Sequence, residues 1–193
     1  QDLLRQASIG MRTLRNLSKL LELIVDILSK SLRLDCTAVY LLNAENGQYE
    51  LQSYRGEKSV IQIGRDNPLI VMLNEKKYPV IYDELKMFSE SGGGANGLVE
   101  TIRLMKDLGA GVIVPAVVEE SLLGFIVLGV RHDKKGYHPD LVNVLAVLGN
   151  QAGLAIENCK FMEAEAMRIE QMGLEERRMS LDHVTSSMAH EID

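Results

Sequence analysis

The sequence predicts an α/β (α+β) fold, an antiparallel sheet packed between helices, with long helices at both chain ends. Three observations carry this. Asn46-Gly47 separates two short runs rich in β-branched and aromatic residues, the pattern of a tight hairpin. Residues 111–118 and 122–130 are nearly continuous apolar runs, as in strands at a sheet centre covered on both faces. Both ends of the chain carry apolar residues at three- and four-residue steps, the spacing of a helix with one buried stripe.

Taken in order, the first segment reads as one helix to about Leu32, with Ala7, Gly10, Leu14, Leu17, Leu21, Ile24 and Leu28 on one seam. Its second half has a sheet to cover; its first half has none and is expected to form a dimer seam. Residues 36–43 and 48–54 form the hairpin, and 60–63 a short third strand. Asp66-Asn67-Pro68 starts a helix, with a capping residue followed by proline in the first turn, running to about Lys76. Residues 78–82 read as a short strand and 83–97, ending in a glycine-rich run, as a long loop. A short amphipathic helix over 98–108 is closed by Gly109. Pro115 inside a strand lacks a ladder donor, so a bulge or a sheet edge is expected beside it.

From Pro139 the pattern is helical nearly to the end. Leu141, Val144, Leu145, Leu148, Ala152, Ala155, Cys159, Met162 and Ile169 share one stripe, which falters at Gly173 and resumes at Leu181, Val184 and Met188. A helix of ~50 residues is ~75 Å long. No globular domain covers that length, so the part beyond Phe161 must meet another helix or stand exposed.

The 193 residues are 46% hydrophobic and 25% charged, ordinary for a globular domain with helical extensions. A net charge of −6 argues against a nucleic-acid partner. No run reaches the roughly 18 consecutive apolar residues of a membrane span. The chain begins at Gln1 and reads as a piece of a longer protein. Cys36 and Cys159 read as reduced structural thiols, and the histidines have no metal-ligand spacing, so no metal site is expected.

Two segments carry a family resemblance. Residues 34–162 resemble the GAF family. The most specific part contains Pro115, Leu123-Gly124-Phe125, Tyr137-His138-Pro139-Asp140-Leu141, Gln151-Ala152 and Ala155-Ile156-Glu157-Asn158. Asn67-Pro68-Leu69 and Tyr78-Pro79-Val80-Ile81-Tyr82-Asp83 add to it. The last ten residues, through Met188-Ala189-His190-Glu191-Ile192-Asp193, resemble the phosphoacceptor box of sensor histidine kinases, cut off just after the histidine.

The resemblances imply three parts: a signalling and dimerisation helix over 1–33, a GAF sensory domain over 34–162, and over 163–193 a coiled-coil linker with the start of the phosphoacceptor helix. They imply the two terminal helices on one face of the sheet and the short elements on the other. In the parent bacterial kinase, His190 would accept the γ-phosphoryl group of ATP, and Glu191 would orient it and take its proton. ATP and Mg would then belong to the parent, with no cofactor in this segment. A ligand pocket is expected between the sheet and residues 60–108, with Tyr54, Tyr82, Asp83 and Arg103 as candidate contacts, its ligand unknown. Implied partners are a second copy through the terminal helices, a small molecule, and a downstream response regulator. The implied setting is cytoplasmic, with any membrane anchor of the parent outside this segment. Rival readings are a ligand-free dimerisation spacer, a sensor for another output domain, and a sulfoxide reductase of the same fold, which would need clustered reactive cysteines.

Overall fold

The computed structural model describes residues 2–13, 16–57, 60–94 and 96–192; Leu14 of the first seam, Ala95 of the glycine-rich run and Asp193 of the terminal motif lie outside them. Six strands form one antiparallel sheet in the order β3-β2-β1-β6-β5-β4. They are β1 (Thr37–Asn43), β2 (Gln48–Arg55), β3 (Gln62–Gly64), β4 (Val80–Ile81), β5 (Val112–Val118) and β6 (Ser121–Leu128). The helices are α1 (Asp2–Thr13), α2 (Leu17–Leu32), α3 (Pro68–Lys76), α4 (Tyr82–Glu90), α5 (Leu98–Asp107) and α6 (Pro139–Ile192).

Local chemistry explains most boundaries. The Asn67 side chain accepts from the Leu69 amide at 3.0 Å and Pro68 opens α3, as the sequence predicts. Gly109, at φ +66°, ends the turn after α5. The β5–β6 hairpin turns on Glu119 and Glu120, at φ +46° and +69°, the handedness that a two-residue hairpin requires. Pro115 meets both expectations. β4 pairs only with Val112 and Ile113, leaving β5 an open edge beyond them, and the β5–β6 register shifts between Ala116 and Val117.

The sheet carries a packed layer on each face. On one lie α1, α2 and the first half of α6, with Leu20, Val25, Leu28, Leu145, Leu148 and Ile156 fully buried. On the other lie α3, α4 and α5, with Leu69, Leu73, Met105 and Phe125. α6 lies close against β5 because two of its contact positions lack side chains. A Cβ on Gly149 would come within 2.5 Å of the Pro115 carbonyl oxygen, and one on Gly153 within 3.1 Å of Val118.

Two expectations are corrected. The first segment is two helices. In one straight helix Gly10 and Leu23 would be ~20 Å apart. Instead a Cβ on Gly10 would lie 2.8 Å from Leu23 Cδ2, so α1 folds back on α2. The break is set at Asn16, extended at φ −101°, whose side chain caps α2 by accepting from the Lys19 amide at 3.2 Å. Glu163 of α6 accepts from the Leu17 amide at 3.0 Å, and Ser8 of α1 hydrogen-bonds Gln151. Ala7 and Met11 are buried in this three-helix layer, so the first half of the segment packs within its own chain.

The second correction is α4, which occupies most of the expected loop over 83–97. Asp83 and Glu84 lie in its first turn, where the helix dipole favours acids, and Leu85 anchors its inner face. Gly92, at φ +88°, follows its end.

α6 runs unbroken for 54 residues, ~81 Å. It passes straight through Gly173, where a Cβ would meet nothing within 4 Å. From Ala166 to Glu191 every residue is exposed. No helix among the described residues is long and apolar enough to cross a membrane.

Candidate functional site

The expected pocket lies between the sheet and α3–α5. Much of that interlayer is a contiguous buried cluster. Tyr40 stacks on Phe125 with ring centroids 4.9 Å apart, and Tyr49 tilts against the same ring at 5.7 Å. Both hydroxyls are satisfied by backbone: Tyr40 donates to the Val60 carbonyl at 2.7 Å and Tyr49 to that of Leu122 at 2.8 Å. Burial pushes the Tyr40 hydroxyl up to about 12 and raises that of Tyr49.

The four candidate contacts do not converge. Tyr54 is 42% exposed and lines a crevice of about 10 Å³ with Cys36, Tyr40 and Glu57, room for about one water. Arg103 stands exposed on α5. Tyr82 and Asp83 open into a different cleft, of about 410 Å³, at the end of the sheet where β6 leads into α6. That cleft gathers Lys106, Arg131, Lys134 and Tyr137 around the backbone of Gly109–Gly111 and Gly136.

The sequence reading missed this cleft because its cations come from two segments 25 residues apart. Only the topology joins them: β5 starts beside the end of β6, with the Gly111 amide donating to the Leu128 carbonyl at 2.8 Å. Arg131 is fixed there, donating to the Gly136 carbonyl at 3.2 Å and to Asp133 at 3.0 Å. Tyr137 donates to the Gly129 carbonyl at 2.6 Å, and burial pushes its hydroxyl well above the usual tyrosine range.

The cysteines lie on different layers. Cys36 is half-buried against the carbonyls of Leu108 and Gly109, and Cys159 is buried among the terminal helices. Burial raises both thiols, helped by Asp35 at Cys36 and by Glu163 at Cys159, so neither is poised as a thiolate. Among the described residues no cluster of three or more His, Cys, Asp or Glu could hold a metal. His190 and Glu191 are exposed on the last turns of α6, far along the helix from the sheet.

Residues 16–156 match the GAF domain family. The chain belongs to that family. No curated protein matches it. Among solved structures it is similar to the GAF domain of an Acinetobacter phosphoenolpyruvate-protein phosphotransferase, at 17% identity and TM-score 0.61, covering 82% of this chain and 93% of that one. It is similar to residues 122–287 of a methyl-accepting chemotaxis protein, at 14% identity and TM-score 0.64, covering 82% and 99%. It is also similar to a free methionine-R-sulfoxide reductase from Neisseria meningitidis solved with its substrate, at 11% identity and TM-score 0.61, covering 82% and 88%. At these identities the likeness is one of fold.

The buried hydroxyls and thiols of this GAF domain give its stability a pH dependence of one sign. Each has a folded-state value raised above the unfolded one, so the stability is fully present below the unfolded values. It is lost as pH rises from about 9, where unfolded thiols ionise, through the tyrosine window of 10 to about 12 set by Tyr40. Urea midpoints at constant ionic strength are expected to fall steadily from pH 9 to 11, with a shallower fall in Tyr40→Phe. A flat profile over that range would contradict the assignment.

Proposed function

We propose that this GAF domain is the input segment of a sensor histidine kinase, relaying a ligand or conformational signal along paired α6 helices to phosphoacceptor His190. One observation carries the reading: the distal half of α6 is exposed along a seam that none of the described residues covers. Met167, Leu174, Leu181 and Met188 recur at seven-residue steps, with Val184 beside them, all at least half exposed. A seven-residue apolar repeat is the pattern of a helix that winds on another helix. The seam leads to His190-Glu191, where the phosphoacceptor resemblance lies. The proximal half of α6 is clamped to β5 and α1, so a change in the sheet layer is delivered to the rod as a rigid displacement.

The reading implies a cytoplasmic setting, ATP with Mg in a nucleotide-binding domain outside this chain, and a response regulator taking the phosphoryl group from His190. A reductase role is disfavoured by the separated, protonated cysteines.

The first test is assembly. Sedimentation equilibrium at micromolar concentration should give near twice 21.5 kDa. Leu174→Glu with Leu181→Glu should shift the mass toward the monomer without loss of helicity, since both side chains are exposed in the single chain. Leu21 and Ile156 are unsuitable for this test, because both are buried in the chain's own core. A strict monomer at high concentration would remove the paired-helix relay.

A further inference from the structure

We propose that the cleft between the end of β6, the start of α6 and the end of α5 binds a small organic oxyanion, a carboxylate or phosphate monoester with a planar or apolar body. It deepens the sensory reading by naming a ligand class and a place, and its binding step stands whether or not His190 is phosphorylated.

The first argument is charge. The chain as a whole carries −6, yet this cleft is lined by Lys106, Arg131 and Lys134 against one carboxylate, Asp83. Asp133 engages Arg131 from the rim, and the nearby Asp35 is engaged by His132 at 2.8 Å. Lys106 and Lys134 form no ion pair among the described residues, so the lining itself keeps three cations against the single carboxylate of Asp83.

The second argument is the state of Arg131. A guanidinium has five N–H donors. Two are used, on Gly136 and Asp133, and they hold the group in one orientation. The Nε donor is buried with no partner and out of a ligand's reach, so the capacity left over is one N–H on each Nη. A cation held rigidly with donor capacity left over is preorganised for an oxyanion, since ordering has been completed before the ligand arrives.

The third argument is shape. A volume of about 410 Å³ lies within the usual range for small-molecule sites. Tyr82, Tyr137 and Val130 supply apolar walls, and the glycine backbone lets a planar body approach closely. A Cβ on Gly111 would come within 2.9 Å of the Tyr137 ring, so only glycine leaves that ring in place.

The position suits an input. Arg131, Lys134 and Tyr137 belong to the loop that runs into α6 at Pro139, whereas Lys106 and Tyr82 belong to the opposite layer. A ligand held by both bridges the sensor layer and the root of the output helix.

The test is an amide NMR titration of the whole chain at fixed ionic strength with phenyl phosphate, benzoate and the neutral benzyl alcohol. One or both anions should move the Gly109, Gly111 and Gly136 amides saturably, with Kd on the order of 1 mM. Benzyl alcohol at equal concentration should leave them still, and the tighter anion identifies the headgroup. Lys106→Gln and Lys134→Gln, at exposed positions, should each weaken binding about two- to fivefold with the fold intact by circular dichroism. No saturable shift with either anion, or equal shifts in the double variant, overturns the proposal. Failure of binding with normal His190 labelling in the longer kinase removes the cleft and keeps the relay. Binding with no labelling removes the relay and keeps the cleft.

Discussion

Replacing Phe125 by alanine should cost about 3–5 kcal/mol of folding stability. The ring is fully buried on β6, one of the two central strands, paired with Tyr40 of β1 and Pro115 of β5. Truncation loses the transfer free energy of the ring and leaves a cavity that the sheet cannot close, because its register is held on both sides. It also removes both ring contacts, worth about 0.5–1.5 kcal/mol for an aromatic pair beyond the burial itself. For a chain of this length the loss corresponds to roughly 10 °C in Tm. The chain has no tryptophan, so near-ultraviolet tyrosine dichroism reports the transition. Leu181→Ala, on the exposed part of α6, should stay within about 0.5 kcal/mol when the chain is held monomeric. A Phe125→Ala cost below 1 kcal/mol would mean that the α3–α5 layer does not depend on the ring.

That contrast shows where sequence periodicity is a good guide. The hairpin at Asn46-Gly47, the apolar runs of β5 and β6, and the start of α3 are legible because a turn type, a continuous burial pattern and a capping residue each have one local solution. The whole course of α6 is legible for the same reason. The errors fall where tertiary structure selects between local solutions. The seam through Leu17, Leu21, Ile24 and Leu28 is real, but Asn16 before it is a cap as well as a tolerable helix residue. Only packing on α6, with Glu163 accepting from Leu17, decides for the break. Residues 83–90 resemble a loop because acids and the following glycines outweigh one buried leucine. They form a helix because the acids sit at its N-terminus.

The candidate site divides in the same way. Tyr82 and Asp83 lie at a cleft because they follow β4, where the chain leaves the sheet edge. Tyr54 and Arg103 belong elsewhere, because neither the alternation of β2 nor the stripe of α5 shows which end of the sheet a side chain will reach. Lys106 and Arg131 become neighbours through a strand order that no local pattern contains. His190 is the opposite case: its candidacy comes wholly from the surrounding sequence, and the fold adds only its place on an exposed helix.

His190→Gln should abolish phosphoryl transfer in the longer kinase, the largest effect expected anywhere in this chain. On the proposed reading an imidazole nitrogen would be the nucleophile, and the glutamine amide cannot replace it, so the loss should be complete. ATP added to this chain alone should give no label. With the nucleotide-binding domain present, the label should be acid-labile, alkali-stable and confined to His190. His183 is the internal control, lying two turns earlier on the same exposed helix. His183→Gln should keep the label, whereas loss of helix integrity would affect both variants. Glu191→Gln should lower the rate by about 10²–10⁴-fold, the usual contribution of a positioned general base, while the label still maps to His190. If His190→Gln labels normally, or the label maps to His183, the phosphoacceptor reading is wrong.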